Sequence, residues 1–267
     1  METVTSTGIA QQFDQEGVLF PIPVLSPEEV SFYRATLADL EQRLNCPADR
    51  LSSLHEYFAW AYDLSVHPRV VRAVEEVLGP EIMHWGTLVL RKPPHSALYA
   101  SWHQDGEYAT FLNGAPSISA WIALSDSTAE SGCMRVVRGS QKTRVEHVQR
   151  FSSQNILKQG QTVAIEVPES QAVEVELKAG EMSLHHVDII HGSNANSSDH
   201  DRTGFIVRFT TPEIRRGTRV VKAAGSADCS HLKLIPRPVD PSGPETFEAY
   251  REFLCSPEQS RRLKDIG

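Results

Sequence analysis

Two periodicities divide the chain. Up to about residue 80 the apolar positions recur at helical spacing, and from residue 82 onward they come in short alternating or continuous runs broken by turn residues. Ser26-Pro27-Glu28-Glu29 reads as a helix start. Ser26 stands at the cap, Pro27 fits the first helical position, and the two acids sit where the helix dipole favours negative charge. The helix should run to about Leu44, with Val30, Tyr33, Leu37 and Leu40 on one face. A second helical stretch, about 56–64, carries Phe58, Trp60, Ala61 and Leu64. A third follows Pro68, with Val70, Val71, Val74, Val77 and Leu78 along one side and Gly79-Pro80 as its stop. Ahead of these, residues 1–12 read as a loose leader and 13–23 as a short strand.

Strands are predicted over 82–91, 117–124, 134–137, 172–177, 182–186 and 204–211. In 172–177, Val173, Val175 and Leu177 alternate with Glu174 and Glu176, so one face is apolar and the other wet. The polar stretch 141–161 is long for a connection, and such loops in compact domains often serve as lids. The tail beyond Thr218 is Pro-rich, with one helix over about 245–254. Helices followed by many short strands predict a mainly β, double-sheet fold with an N-terminal helical layer. We expect one domain over 1–267: a helical lead-in at about 24–80, a β core at about 82–211 and a C-terminal extension at 212–267.

Composition narrows the function classes. A chain of 267 residues, 40% hydrophobic and 22% charged, is an ordinary globular composition and can bury a sizeable core. The formal charge of −8, without a basic run, argues against a nucleic-acid or anionic-membrane partner and leaves a small-molecule substrate. A small anion is not excluded, because one buried arginine suffices to hold it. Cys46, Cys133, Cys229 and Cys255 are far apart and form no CxxC pair, which predicts free thiols in a reducing compartment. The polar first residues and the absence of a long apolar run make the cytoplasm the expected location.

The candidate chemistry lies in His103-Gln104-Asp105 and a later histidine, His191. Two imidazoles and a carboxylate can cap one face of an octahedral metal. Three adjacent positions stay open, which suits non-haem Fe(II) and O2. A bare triplet of this kind is often a loop histidine near an aspartate, and eleven histidines make a later one cheap. Context changes the weighing. The triplet follows an extended stretch, where alternate residues point the same way, so positions 103 and 105 could face one cavity. His191 stands between Asp188-Ile189-Ile190 and Gly192-Ser193, a strand-to-turn site. His185 and His186 compete with it, and for each a packed or hydrogen-bonded role is preferred. His84 and His95 are read as structural, and His67, His147, His200 and His231 as solvated or loop residues. His55 keeps a ligand role open. Arg202, downstream of His191, could hold the far carboxylate of an oxo-acid cosubstrate. A Zn(II) hydrolase or isomerase on a cupin-like barrel could use the same three ligands, but it gives Arg202 no part. A silent ligand-binding protein would have no need of the intact set.

With these residues in view, the chain resembles the phytanoyl-CoA dioxygenase family of Fe(II)- and 2-oxoglutarate-dependent oxygenases. The matching segments are 101–106 (SWHQDG), 121–125 (WIALS), 131–140 (SGCMRVVRGS), 180–186 (GEMSLHH) and 191–209 (HGSNANSSDHDRTGFIVRF). The resemblance implies a double-stranded β-helix, or jelly roll, with His103, Asp105 and His191 as iron ligands. It implies Arg202 as partner of the 2-oxoglutarate C5 carboxylate, Ser193 close by and Trp121 near that cosubstrate. The implied reaction uses Fe(II), 2-oxoglutarate and O2 to hydroxylate an unactivated C–H, releasing succinate and CO2. Relatives that halogenate carry Ala or Gly in place of the aspartate, so Asp105 implies hydroxylation. The segment 202–208 looks more like relatives acting on small polar metabolites than like acyl-CoA oxidisers. Selectivity is expected from 99–111, from 141–161 and from the N-terminal helices. Two features depart from the family. Its usual Pro-Gly-Ser-His turn reads Arg138-Gly139-Ser140-Gln141 here, and a lysine that contacts the cosubstrate in some relatives has no clear match, Lys92 not being at that spacing.

Overall fold

The protein is described by a computed structural model covering residues 6–45, 50–107, 109–157, 160–239 and 243–254. Its helices are α1 (Ser6–Glu16), α2 (Pro27–Leu44), α3 (Ala59–Ser65), α4 (Pro68–Leu78) and α5 (Pro244–Leu254). The start of α2 is a capping box. Ser26 Oγ accepts from the Glu29 N–H at 3.2 Å, and the Glu29 carboxylate accepts from the Ser26 N–H at 2.6 Å. Of the stretch read as a leader, residues 6–12 belong instead to α1, and residues 1–5 lie outside the described residues. Ile9 and Phe13, one turn apart on the same face, pack into the core, and Gly17 closes the helix at φ +73° with its N–H on the Phe13 carbonyl. The expected strand accordingly begins only at Val18. The second predicted helix is a 3-10 turn, Leu54–Glu56, followed by α3.

The strands are β1 (Val18–Pro23), β2 (Arg50–Ser52), β3 (Ile82–Lys92), β4 (Ala100–His103), β5 (Ser117–Ala123), β6 (Met134–Val137), β7 (His147–Gln149), β8 (Gln161–Val163), β9 (Ala172–Val175), β10 (Glu181–His186), β11 (His191–Ser193), β12 (Arg202–Thr210), β13 (Arg219–Ala224) and β14 (Lys233–Leu234). The larger sheet runs β1-β10-β5-β12-β3-β13-β14, with β2 also paired to β3, and the smaller runs β4-β11-β6-β9. The segment 141–161 is not a bare loop. It opens with a 3-10 turn, Ser140–Lys142, and contains β7, which pairs with β8. The tail is likewise more regular than its prolines imply, because β13 adds to the edge of the larger sheet against β3.

Alternation along the strands builds two cores. On one face of the larger sheet, Ile118, Ala120, Ile122, Met182, Leu184, Phe205, Val207 and Phe209 meet the helices. The helix α5 closes that layer. Tyr250 packs against Phe58 and donates its hydroxyl to the Ser52 carbonyl at 2.9 Å. On the opposite face, Leu88, Trp121, Ala123 and Ile206 meet Met134, Val136 and Val175 of the smaller sheet. The result is the expected double-stranded β-helix with a helical layer on one side. Burial on both faces explains why β5 reads as a continuous apolar run rather than an alternating one. Among the described residues, no helix is long and apolar enough to cross a membrane.

Candidate metal centre and cosubstrate pocket

The strands β4 and β11 pair with His103 directly opposite His191, and the two rings lie 4.0 Å apart between centroids. Asp105 is not in the extended conformation expected of it. The strand ends at His103, and Asp105 opens a 3-10 turn, Asp105–Glu107. Gly106 permits that turn: its N–H donates to the Val187 carbonyl at 2.9 Å, and a Cβ there would meet the Asp188 carboxylate at 2.0 Å. The turn folds the Asp105 carboxylate back, so that Oδ1 lies 3.5 Å from His103 Nε2. One potential ligand atom from each of His103, Asp105 and His191 then falls within 4.8 Å of the others.

The donor set fits a divalent metal in protonation as well as in position. His103 Nδ1 lies 2.8 Å from the Ser101 carbonyl and His191 Nδ1 lies 3.0 Å from that of Ile189. A carbonyl only accepts, so both Nδ1 atoms carry the proton and both Nε2 lone pairs are free for a metal. Burial, with His103 beside it, holds His191 well below its usual range, keeping it neutral. Burial opposes ionisation of Asp105, but Arg208 and the neighbouring imidazoles outweigh it and hold its carboxyl well below the ordinary carboxylate range.

Neighbouring residues brace the centre. Gln104, buried between the two ligands, donates through Nε2 to the carbonyls of Thr143 and Asp188 and accepts from the Val145 N–H at 3.0 Å. His147, read as a loop histidine, is a brace too. Its Nε2 accepts from the Gln104 N–H at 3.0 Å while Nδ1 faces the Val145 carbonyl. The divergent turn at 138–141 keeps a working part, since Ser140 Oγ accepts from the N–H of Ile190 at 2.8 Å, next to His191.

His103, Asp105, His191, Trp121, Ser193 and Arg202 all line one cavity. Arg202 is buried, its guanidinium 4.4 Å from the Trp121 ring centroid, and among the described residues no carboxylate lies within ion-pairing distance of it. Burial pushes it down to about 10, which leaves it charged at neutral pH. Gly204 is where the indole passes, since a Cβ there would meet Trp121 at 2.0 Å.

Three further residues belong to this site: Arg208, which the sequence reading did not weigh, Lys92, which it set aside for its spacing, and His185, which it kept from the ligand set. Lys92 is buried at the end of β3, where its Nζ donates to the carbonyls of Gly132 and Asn194 and lies 2.7 Å from Ser193 Oγ. Burial, with the Arg202 cation nearby, pushes it down to about 6. Arg208 lines the cavity beside Asp105, with Nη2 at 3.4 Å from Oδ2. His185 also lines it, 5.1 Å from the His191 ring, outside the three-residue cluster. The available signal was parity: Lys92 shares the inward face with Leu88 and Leu90, and Arg208 shares it with Ile206. His55 and His84 pack together on the helical face, away from the centre, so the ligand role left open for His55 falls away. Cys133 and Cys229 are free and buried, while Cys46 and Cys255 lie outside the described residues.

The profile of the phytanoyl-CoA dioxygenase (PhyH) family matches residues 13–204. The chain is 26% identical to an ectoine dioxygenase of Nocardia farcinica, over 75% of this chain and 76% of that protein. It is 25% identical to the peroxisomal phytanoyl-CoA dioxygenase of Rattus norvegicus, over 62% of this chain and 46% of that one. The match thus spans about half the length of the latter enzyme. Among solved structures, the apo form of a non-heme monooxygenase, ThoJ, superposes with a TM-score of 0.80 over 96% of this chain and 97% of that one, at 24% identity. The epimerase SnoN, in a complex with Fe3+ and alpha ketoglutarate, superposes with a TM-score of 0.63 over 79% and 86%, at 21% identity. At such identities the structural likeness speaks for the fold.

Proposed function

The chain belongs to the phytanoyl-CoA dioxygenase family, and from that premise we propose that it hydroxylates a C–H bond of a small, polar metabolite or biosynthetic intermediate. Its cofactor is Fe(II), and its cosubstrates are 2-oxoglutarate and O2. In this reading His103, Asp105 and His191 hold the iron, and Arg202 holds 2-oxoglutarate. Bound there, the iron supplies the oxidative chemistry, coupling conversion of 2-oxoglutarate to succinate and CO2 with transfer of oxygen to the substrate.

The observation that carries the proposal is a cluster of two histidines and an aspartate opening on the same cavity as a buried arginine that has no acidic partner among the described residues. Leaving a guanidinium in a low dielectric is expensive, and a dianionic cosubstrate removes that expense by a fork-shaped pair. Trp121 packs against the guanidinium, 4.4 Å from ring centroid to guanidinium carbon, and Ser193 and Lys92 add donors at the same end. A zinc hydrolase on this scaffold would leave Arg202 without a use. Ile156 and Leu157, from the segment between β7 and β8, cover part of the cavity and help to keep water out. Asp105 fills the position a halide would need, which favours hydroxylation over chlorination.

The test has two stages. Anaerobic titration of 2-oxoglutarate into the Fe(II)-loaded protein should produce a charge-transfer absorption band, and a metabolite screen should then find compounds that stimulate succinate formation. A product heavier by one oxygen supports hydroxylation. A product of unchanged mass, or one lacking two hydrogens, would instead mean epimerisation or ring closure. Turnover with Zn(II) in the absence of O2 and 2-oxoglutarate would sink the proposal.

A further inference from the structure

Arg208 is placed by features that the metal triad alone does not require. It stands on β12 on the same face as Arg202, opposite Ser119 of β5 and Gly86 of β3. The pairing of β12 with β3 slips at this point: Arg208 faces Gly86 but Phe209 faces His84, so Trp85 is the extra residue of a bulge. Bulges re-aim side chains, and here the indole comes to lie 5.4 Å from the Arg208 guanidinium carbon. The space over Gly86 is open, with nothing within 4 Å of where a Cβ would stand. The guanidinium so seated reaches Asp105 Oδ2 at 3.4 Å, while the other oxygen, Oδ1, faces His103 Nε2 at 3.5 Å. The two carboxylate oxygens therefore look in different directions.

We propose that Arg208 is a positioning residue that fixes Asp105 as a one-oxygen ligand, engaging Oδ2 so that only Oδ1 is left for the metal. This rests on the reading of Asp105 as an iron ligand. A carboxylate free to use both oxygens would take a second coordination position, one that the cosubstrate or O2 needs. Affinity cannot be the reason for the arginine. A second cation beside the carboxylate reduces the negative charge offered to the metal and repels it. Arg208 therefore trades metal affinity for open coordination positions, and that trade has an opposite sign for the two ligands.

The experiment compares Arg208→Gln, Arg208→Lys and the unaltered protein, with Asp105→Ala as a control on the underlying reading. Ni(II) binding and then 2-oxoglutarate binding to the Ni(II)-loaded protein are measured by calorimetry. In Arg208→Gln, Ni(II) should bind as tightly as before or more tightly, while the 2-oxoglutarate Kd rises by about tenfold or more. Arg208→Lys, with one point donor instead of a fork, should fall between. A merely structural role would weaken both ligands together. Unchanged 2-oxoglutarate affinity in Arg208→Gln overturns the proposal. Should that variant fail to melt cooperatively, X-ray absorption of the unaltered Ni(II) protein decides: a one-oxygen Asp105 supports the proposal and a two-oxygen Asp105 overturns it. Retention of metal by Asp105→Ala would overturn the iron-ligand reading itself and is distinct from either outcome.

Discussion

Gly204→Ala is a one-methyl probe of the seat proposed for 2-oxoglutarate. Gly204 has an ordinary strand conformation, so alanine adds no backbone strain, and the whole effect is steric. Its Cβ would stand 2.0 Å from Trp121 Cζ2, 2.2 Å from Cε2 and 2.8 Å from Cη2. Ordinary contact begins near 3.4 Å, so the indole must retreat by roughly 1.4 Å, and overpacking of a filled interior costs about 1–3 kcal/mol. The guanidinium of Arg202 lies 4.4 Å from the centroid of that ring, so the cation is displaced with it. Truncating one partner of a buried charge pair costs about 2–5 kcal/mol, and a displaced partner forfeits a part of that. We therefore expect the 2-oxoglutarate Kd of the metal-loaded variant to rise by about 10- to 100-fold, at roughly 1.4 kcal/mol per decade. The melting temperature should fall by about 2–10 °C, and Ni(II) affinity should stay within about threefold, since no ligand moves. Gly86→Ala serves as the control, because its Cβ would meet nothing within 4 Å. Calorimetric titrations and thermal melts of the three proteins decide the matter. A Gly204→Ala protein that melts lower but binds 2-oxoglutarate like the parent would show that the stack of Arg202 on Trp121 is no part of the seat.

Arg202→Ala should raise the 2-oxoglutarate requirement by about two to three decades while leaving Fe(II) binding nearly unchanged, and an unaltered requirement would assign the C5 carboxylate to another residue. Lys92, pushed down to about 6 by burial and by Arg202, is largely uncharged at pH 7.5. A dianion at that end raises it, so 2-oxoglutarate binding should take up a fraction of a proton. Calorimetry in buffers of differing ionisation heat should show this in the parent and lose it in Lys92→Met, and buffer-independent heats in the parent would refute it. His84 is fully buried, and burial together with His55 holds it well below its usual range. The unfolded chain therefore binds a proton below about pH 6.5 that the folded chain does not, and stability should fall by up to about 1.4 kcal/mol per pH unit beneath that point. Urea melts between pH 5 and 7.5 should show the fall, with a smaller slope in His84→Phe, and a slope identical in the two proteins would clear His84 of the effect.

Much of this architecture can be read from spacing. The capping box at Ser26, the apolar stripe of α4 and the alternation in β9 are local signals, and the structure follows them. His103 is legible because it follows an extended stretch and stands two residues before Asp105, and His191 because it adjoins a strand end before Gly192-Ser193. Asp105 was expected to face the cavity by simple alternation, yet it gets there by a 3-10 turn that depends on Gly106 meeting Val187 and Asp188. Those partners lie far along the chain, so no local pattern reveals them. Lys92 and Arg208 escaped for a related reason. A cation on a strand ordinarily marks the wet face, and only sheets covered on both sides turn it inward. His147 reads as solvated because its polar neighbours are visible in sequence, whereas the Gln104 N–H that it accepts is not.

Charge explains why these scattered residues belong to one site. Among the described residues lining the cavity, Arg202 and Arg208 are the cations and Asp105 is the one carboxylate, with Lys92 just behind Ser193. Arg208 and Asp105 compensate one another, which leaves Arg202 as charge held out of water with no acid beside it among the described residues. A divalent metal placed on the triad adds to that excess and is disfavoured by it. A dicarboxylate relieves both at once, because one end can meet the metal and the other Arg202. Each ligand then strengthens the other by the same free energy, as linkage requires. A cationic group would be repelled from the Arg202 end of the cavity, so that end is closed to it before any contact is made. The same reasoning separates the two arginines, six positions apart on β12 and facing the same way. The one without an acid awaits an anion, and the one with an acid directs a ligand already present.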